Sequence, residues 1–335
     1  MKKLKVLVLV HANFVPPEDF SQLSDAEQYE LKTEMDVVQA LKTLGHQARV
    51  LGVLDELLPI REAVAEWHPH IVFNLLEEFR GEAVYDQNVV AFLELLGVPY
   101  TGCSPRGLII ARDKAMSKKL LVYHRIRCPR FKAVRRGHAV RRPTKLKFPL
   151  IVKSLNEEAS RGISKASVVN DDESMMKRIE FIHDRIGTDV ILEQFVPGRE
   201  LYVGILGNVR LTALPVRELV IKDREPDDNL IATERMKHDI AYQQKYGVAI
   251  TAPRSLPDGV EAMLVRQSKR IYRILGLEGY GRIDYRMDTE GRLHFLEANP
   301  NPEIAQAEEF ASAAEAAGLS YESLIQRILN LGLRR

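Results

Sequence analysis

The chain has 335 residues, and at roughly 150 residues per domain this length predicts two or three domains. Its composition, 45% hydrophobic and 28% charged, is that of a folded globular protein and excludes a disordered chain. The 48 basic and 46 acidic residues leave a net charge of only +2, so bulk charge does not draw the chain to nucleic acid or to an anionic membrane.

The cysteine count and the N-terminus both favour a cytoplasmic protein. Two cysteines, Cys103 and Cys128, are too few for a secreted disulfide scaffold. The start resembles a signal peptide, but its apolar run, Val6 to Val10, ends at once at His11 and no small-residue cleavage site follows. No stretch approaches the ~20 apolar residues of a membrane span. We therefore expect a buried first strand and a chain without membrane partners.

The first hundred residues alternate strand and helix signals. Strands are predicted at residues 4–10, 49–53, 71–75 and 98–101, and helices at 25–44, 56–67 and 89–96. Strands separated by helices of this length form a parallel sheet covered on both faces. We expect an α/β N-terminal domain with a parallel sheet, over residues 1–105.

After residue 105 the strands and helices separate, which is typical of an α+β arrangement. Strands are predicted at residues 150–154, 163–169, 190–195, 201–206 and 209–215, and helices at 114–123, 172–185 and 257–275, followed by a hairpin and two C-terminal helices. The basic run 135–147 is either a phosphate or nucleic-acid patch or a solvated connector, and we favour the connector because no aromatic residues are interleaved for stacking on nucleic-acid bases.

Several types of site are excluded because the sequence lacks their motifs. The loop after the first strand, HANFVPPEDF, contains no glycine, so the dinucleotide-binding fingerprint is missing, and no P-loop pattern occurs. Neither cysteine has the spacing of a paired zinc ligand.

The strongest chemical signal is the predicted hairpin GRIDYRMDTEGRLHFLEANPNPE. A two-residue turn at Glu290-Gly291 would place Asp284 opposite Glu297 and Arg282 opposite Asn299. Two carboxylates directly opposed on neighbouring strands repel unless a cation lies between them. Two carboxylates and an amide oxygen suit Mg²⁺ or Mn²⁺, which complete their shell with substrate phosphates. The adjacent Arg282 would neutralise charge on a transferring phosphoryl group, whereas the alternative is an exposed hairpin with solvated charges.

Two weaker signals precede this hairpin in the sequence. Lys153 ends the apolar strand FPLIVKS, where a buried ammonium needs an anion, and the loop LNEEASRGIS that follows has the composition of a flap over phosphates. In VILEQFVPGRELYVGIL, Glu193 and Glu200 stand where they could accept hydrogen bonds from an exocyclic amine and from ribose hydroxyls; surface-facing strand ends are an equal alternative from spacing alone.

Together these motifs resemble the ATP-grasp superfamily, and within it the D-alanine–D-alanine ligases and their relatives. The resemblance runs collinearly through FNLLEEFRGEAVYDQNVVAFLELLGVPYTG, ARDKAMSKKLL, FPLIVKS, VILEQFVPGRE, GRIDYRMD with FLEANPNP, and GLSYESLIQRIL. It implies ATP-grasp central and C-terminal domains of the α+β type, at residues 106–190 and 191–335. ATP would be held between these two domains.

The resemblance also implies roles residue by residue. Lys114 and Lys153 match lysines that contact the ATP phosphates, and Lys237 loosely matches a mobile-loop lysine that closes on the γ-phosphate. Four residues match the adenine and ribose contacts: Glu193, Val196, Glu200 and Leu296. Four match the metal ligands and the arginine beside the reacting phosphate: Asp284, Glu297, Asn299 and Arg282.

The family reaction that this implies is amide formation between a small-molecule carboxylate, such as an amino acid or peptide, and an amine, through an acyl phosphate. An ATP-grasp phosphotransferase and a non-catalytic nucleotide-binding regulator stay open as alternatives. Nucleic acid is not expected as a partner, and a homodimer is left open.

Departures from the family pattern concern the substrates. Where the D-alanine ligases have a serine pair in the flap, this chain has Ala159-Ser160 followed by Arg161. Where their last motif has a glycine that helps to hold the second substrate's carboxylate, this chain has Glu303, which would repel a carboxylate unless another cation intervenes. Glu308, farther along, does not restore a donor. We therefore expect a substrate pair other than two D-alanines.

Overall fold

The computed structural model of the protein describes residues 3–17, 19–20, 23–157, 162–222, 231, 233, 235–236 and 239–335. The strands in this part of the chain are β1 (Lys5–His11), β2 (Gln47–Val53), β3 (Ile71–Asn74), β4 (Phe131–Val134), β5 (Leu150–Ser154), β6 (Val168–Val169), β7 (Val190–Gln194), β8 (Arg199–Leu206), β9 (Thr212–Ala213), β10 (Arg217–Ile221), β11 (Val248–Thr251), β12 (Tyr280–Met287) and β13 (Leu293–Pro300). The helices are α1 (Asp25–Glu30), α2 (Lys32–Thr43), α3 (Leu58–Trp67), α4 (Asp86–Leu95), α5 (Pro105–Arg112), α6 (Lys114–Tyr123), α7 (Asp172–Phe181), α8 (Ile240–Tyr246), α9 (Val260–Ile274), α10 (Glu309–Ala316) and α11 (Tyr321–Gly332).

The first sheet is parallel, as predicted, with the order β2-β1-β3. The five central residues of β1 are fully buried, which confirms the buried first strand. The helix predicted over residues 25–44 is instead two helices, because Leu31 (φ −97°, ψ 5°) leaves the helical conformation between α1 and α2. The strand predicted at residues 98–101 is reduced to a single bridge between Tyr100 and Val72.

The second sheet is antiparallel, with the order β4-β7-β5-β6. Its apolar side packs on α7 to form a separate core that includes Leu150, Val152, Ile179 and Leu192. Sequence reasoning missed β4, and of the strand predicted at residues 163–169 only β6 forms.

The third sheet has the order β11-β10-β8-β12-β13, with β9 paired to β8, and its strands are antiparallel. Strands β10 and β11 were not predicted, and the strand predicted at residues 209–215 is only β9. Helix α9 buries Leu264, Ile271 and Tyr272 in a core shared with the first sheet. The parallel sheet with two antiparallel sheets confirms the expected fold class.

The β12–β13 hairpin has the predicted register at the site, although its loop length and its regularity differ from the prediction. Asp284 pairs with Glu297, and Arg282 pairs with Asn299. The loop, however, has three residues between Asp288 and Arg292 instead of two, which shifts the pairing by one residue. A β-bulge beside Asp284 shifts it back. The two departures from the predicted hairpin cancel where the acidic residues lie.

We propose the three-domain division expected from the sequence, with one adjustment. The first and third sheets share their cores, whereas the second sheet has its own. Strand β7 (Val190–Gln194) pairs within the second sheet, so the proposed boundary near residue 190 moves to the end of that strand.

Candidate nucleotide and metal site

A cleft lies between the second and third sheets, at the predicted site. Its walls come from strands β5, β7, β8, β12 and β13 and their connections. The lining residues are Pro129, Ile151, Lys153, Ile163, Glu193, Gln194, Phe195, Val196, Glu200, Ile231, Asp284, Arg286, Leu296 and Glu297. The structure therefore brings together the predicted nucleotide residues on β5 and β7 and the predicted acidic pair on β12 and β13.

Glu193 lies at the centre of the cleft between two lysines. Lys153 Nζ donates to Glu193 Oε2 over 3.3 Å, and Lys118 Nζ lies 3.0 Å from Oε1. Burial would raise the pKa of Glu193, but the charges of Lys118 and Lys153 outweigh it and hold the pKa below the usual value. Burial would likewise lower the pKa of Lys153, but the charge of Glu193 keeps it raised. Glu193 is therefore a buried, ionised acceptor.

The second nucleotide acid, Glu200, is held in place by both of its oxygens. Arg286 Nη2 donates to Oε2 over 2.7 Å, and the Tyr202 hydroxyl donates to Oε1 over 2.9 Å. The Arg286 guanidinium also lies 6.0 Å from the Phe195 ring centroid, so Arg286 contacts both Glu200 and the connection after β7.

Arg282 organises strand β12, which carries the predicted metal ligand Asp284. Its Nε and Nη2 donate to the two oxygens of Asp284 over 2.7 and 2.9 Å, and its Nη1 donates to Glu309 over 2.9 Å. Asn299 Nδ2 also donates to Asp284, over 2.9 Å. Burial would lower the pKa of Arg282, but the charges of Asp284 and Glu309 hold it well above the usual value.

The opposing acid, Glu297, faces Lys114, which is predicted to contact the ATP phosphates. Lys114 Nζ lies 3.6 Å from Glu297 Oε2 and also donates to the carbonyl oxygen of Glu157, in the segment that follows β5. A cluster of three or more His, Cys, Asp or Glu side chains suited to a metal is not found among the described residues. The predicted donor set is instead two carboxylates and the Asn299 amide, and oxygen ligands of this kind fit Mg²⁺ or Mn²⁺.

Glu303 does not line the cleft and is paired with a cation from helix α2. Lys32 Nζ, at the start of α2, lies 3.0 Å from Glu303 and 2.5 Å from Glu308. Thr33 also donates to Glu303, over 3.4 Å. A substrate carboxylate could bind beside Glu303 only if a cation lay between the two. Lys32 is such a cation, but Glu308 shares its charge.

Three predicted residues lie outside the described part of the chain: Ala159, Arg161 and Lys237. Sequence reasoning missed Lys118, Arg286 and Lys32. Arg286 carried a usable signal, because it alternates in phase with Arg282 and Asp284 along β12. Lys32 carried none, since it meets Glu303 from the opposite end of the sequence.

Comparison with known proteins agrees with this geometry. A family model described as "D-ala D-ala ligase C-terminus" matches residues 120–330. D-alanine–D-alanine ligase from Bordetella avium is 33% identical over 312 residues, covering 91% of this chain and 90% of its own. The chain belongs to the D-alanine–D-alanine ligase family. It is therefore an ATP-dependent ligase that forms carbon–nitrogen bonds.

Other relatives of this ligase-family chain extend the comparison. The ligase from Bordetella petrii is 34% identical over 264 residues, covering 77% of this chain and 74% of its own. A protein of uncharacterised function from Sinorhizobium fredii, y4sG, is 31% identical over 308 residues, covering 89% of this chain and 87% of its own. The crystal structure of the Bacillus anthracis ligase complexed with ATP has a TM-score of 0.75 at 21% identity, covers 99% of this chain and 98% of that one, and supports the fold. Within the described residues, every helix is too short or too polar to cross a membrane.

Proposed function

We propose that the chain is a magnesium-dependent carboxylate–amine ligase that forms an amide through an acyl phosphate. The observation that carries this proposal is the direct pairing of Asp284 with Glu297 in the cleft that also contains Glu193, Glu200 and Lys153. The acidic pair would hold Mg²⁺, or Mn²⁺, against the ATP phosphates, while Glu193 and Val196 receive the adenine and Glu200 the ribose.

In the proposed reaction a substrate carboxylate oxygen attacks the γ-phosphorus and the bond to ADP breaks. The amine nitrogen then attacks the acyl carbon, loses its proton and releases phosphate. No nucleophile from the protein is required, so catalysis is positioning and charge neutralisation by Arg282, Lys114 and Lys153. Lys237 is proposed to close on the γ-phosphate, and Ala159 and Arg161 to belong to the flap.

We further propose that the amine-donating acceptor is not D-alanine but a cationic amine. The family resemblance suggests that the amine-donating substrate binds near Glu303, and the charge in that part of the site is negative. Lys32 is shared by Glu303 and Glu308, and all three nitrogens of Arg282 are engaged by Asp284 and Glu309. A free carboxylate would meet an excess of acids at this end, whereas an ammonium group would be attracted.

The test is ADP release with ATP, Mg²⁺ and a panel of carboxylates, followed by mass spectrometry of the products. One set of acceptors contains D-alanine and other simple amino acids, and a second contains diamines and basic amino acids. We expect a product with the mass of an amide, formed from the cationic acceptors. A phosphorylated product instead would establish the phosphotransferase alternative, and efficient D-alanyl-D-alanine synthesis would contradict the cationic acceptor.

The remaining expectations are cellular location and assembly. We propose a cytoplasmic location, supported by two free thiols, Cys103 and Cys128. The homodimer stays a prediction, and light scattering of the purified chain at micromolar concentration tests it.

A further inference from the structure

Lys118 is a fully buried lysine that the family-based assignment of roles does not use. It lies on α6 with 0% of its side chain exposed. Its ammonium lies 3.0 Å from Glu193 Oε1, donates to the Leu296 carbonyl oxygen, and is 5.2 Å from the Phe295 ring centroid. These contacts belong to the nucleotide cleft or to the strand that carries Glu297.

Burying an ammonium group is costly unless an anion and hydrogen-bond acceptors meet it. Lys118 has both, because Glu193 supplies the charge and Leu296 supplies the carbonyl. Glu193 in turn lies between two cations, Lys118 and Lys153, where one would neutralise it. The second cation becomes necessary if Lys153 turns toward the ATP phosphates. Lys118, anchored by the Leu296 carbonyl, would then remain as the charge beside Glu193.

The two oxygens of Glu193 differ in their hydrogen bonding. Oε2 accepts from Lys153 over 3.3 Å. Oε1 accepts no well-directed hydrogen bond from the described residues, although Lys118 Nζ lies within ion-pair distance. Lys118 therefore supplies charge to Oε1 while leaving that oxygen able to accept a hydrogen bond from another N–H group.

We propose that Lys118 is a positioning residue for base recognition. It keeps a positive charge beside Glu193 and fixes that carboxylate toward the adenine amine while Lys153 binds phosphate. Through the Leu296 carbonyl it also anchors the residue that precedes Glu297. The inference rests on the proposed role of Glu193 as the acceptor for the adenine amine.

The experiment compares equilibrium binding of Mg²⁺-ATP with that of purine riboside 5′-triphosphate, which lacks the 6-amino group. The wild-type chain is expected to prefer ATP by about tenfold, the worth of one hydrogen bond to a charged acceptor. In K118M this preference falls to within twofold through weaker ATP binding, with the affinity for the analogue unchanged. A general loss of packing would weaken both nucleotides equally. The control K119M changes the exposed neighbouring lysine and keeps the wild-type preference.

The outcomes separate the inference from the function on which it rests. If the wild-type chain binds ATP and the analogue with equal affinity, and E193Q does the same, the proposed role of Glu193 is wrong and the inference is wrong with it. If the wild-type chain prefers ATP and folded K118M keeps that preference, only the inference is overturned. K118Q retains a donor for the Leu296 carbonyl without the charge, and it gives the same comparison if K118M does not fold.

Discussion

Arg282 holds both carboxylate oxygens of Asp284, through Nε at 2.7 Å and Nη2 at 2.9 Å, within the same strand. The two residues lie on one face of β12, opposite Asn299 and Glu297. A divalent cation at Asp284 must therefore share the carboxylate with a guanidinium. In the proposed function, this sharing would couple metal binding to phosphoryl-charge neutralisation at Asp284.

We predict that D284N abolishes metal-dependent turnover. The amide oxygen is a weaker ligand than the carboxylate, and Arg282 loses its two-bond partner. Mn²⁺ binding in the presence of a non-hydrolysable ATP analogue should fall by about tenfold or more, equivalent to about 1.4 kcal/mol. The control D258N changes an exposed aspartate outside the cleft and should leave Mn²⁺ binding unchanged. Unaltered Mn²⁺ binding by folded D284N would contradict the metal assignment.

A second prediction concerns the phosphate lysine. K153M should weaken ATP binding by about tenfold or more, because one charge-assisted contact to phosphate is lost. Adenosine binding should change less, since the base contacts remain. Calorimetric titration with ATP and with adenosine measures both, and K147M provides an exposed lysine on the preceding segment as the control. Equal losses for the two ligands would place Lys153 away from the phosphates.

A third prediction is a pH dependence of stability that originates at Glu34. Burial chiefly, with the charge of Glu303 adding to it, raises the pKa of Glu34 from its usual 4.5 to about 7. The folded chain thus binds a proton that the unfolded chain has lost, and stability falls as the pH rises from about 4.5 to about 7. The loss is at most about 3 kcal/mol at 1.36 kcal/mol per unit.

E34Q should remove this loss. We expect E34Q to be more stable than the wild-type chain at pH 8, by about 1–3 kcal/mol, and equally stable near pH 4.5. Urea unfolding at both pH values measures the difference. E30Q, an exposed change on α1, should show no such pH-dependent gain. A wild-type chain whose stability relative to E34Q does not vary with pH would show that Glu34 titrates normally.

The fourth prediction tests the packing of the loop after β13. Gly102 has φ +91°, and an added Cβ would lie 2.5 Å from Asn301 Oδ1, which accepts a hydrogen bond from the Cys103 backbone N–H at 2.7 Å. G102A should destabilise the chain by about 2–4 kcal/mol, through backbone strain and loss of this contact.

The control for Gly102 is Gly137, which has φ +73° but nothing within 4 Å of an added Cβ. G137A should therefore show the cost of strain alone, about 1 kcal/mol. The difference between the two variants in urea unfolding isolates the Asn301 contact. Equal costs would mean that Asn301 moves aside freely.

Local patterns were sufficient to predict the residues of the cleft that lie on regular strands. Asp284, Glu297, Lys153 and Glu193 all followed from strand alternation or position at a strand end, and family resemblance assigned their roles. Local patterns could not show that Lys118 is the buried lysine and Lys119 the exposed one, because that depends on which face of α6 packs against the rest of the protein. The pair Lys32–Glu303 could not be found either, since it depends on how α2 packs against the loop after β13.

The errors in secondary structure have a common physical cause. Strand β4 and the other missed strands β10 and β11 are short and carry polar residues, and they are completed by hydrogen bonds to neighbours distant in sequence. Their intrinsic preference is weak, so tertiary pairing decides whether they form. The break at Leu31 falls where the apolar periodicity begins, and α1 before it buries none of its residues.

The β-bulge beside Asp284 has a consequence for strand parity. If the same residues formed a regular strand without the bulge, the register set by the hairpin loop would continue, and Glu297 would pair with Ile283 instead of Asp284. Neighbours along a strand point to opposite faces, so Glu297 would then point into the apolar core and Ala298 would face the cleft. Deleting the extra residue, Leu296, would make the strand regular and leave Glu297 opposite Asp284, whereas a strand that kept Leu296 without the bulge would turn the glutamate away from the cleft. Within the family, counting the residues between the hairpin loop and this glutamate would therefore show whether a relative needs the bulge, which the identity of the acids alone does not.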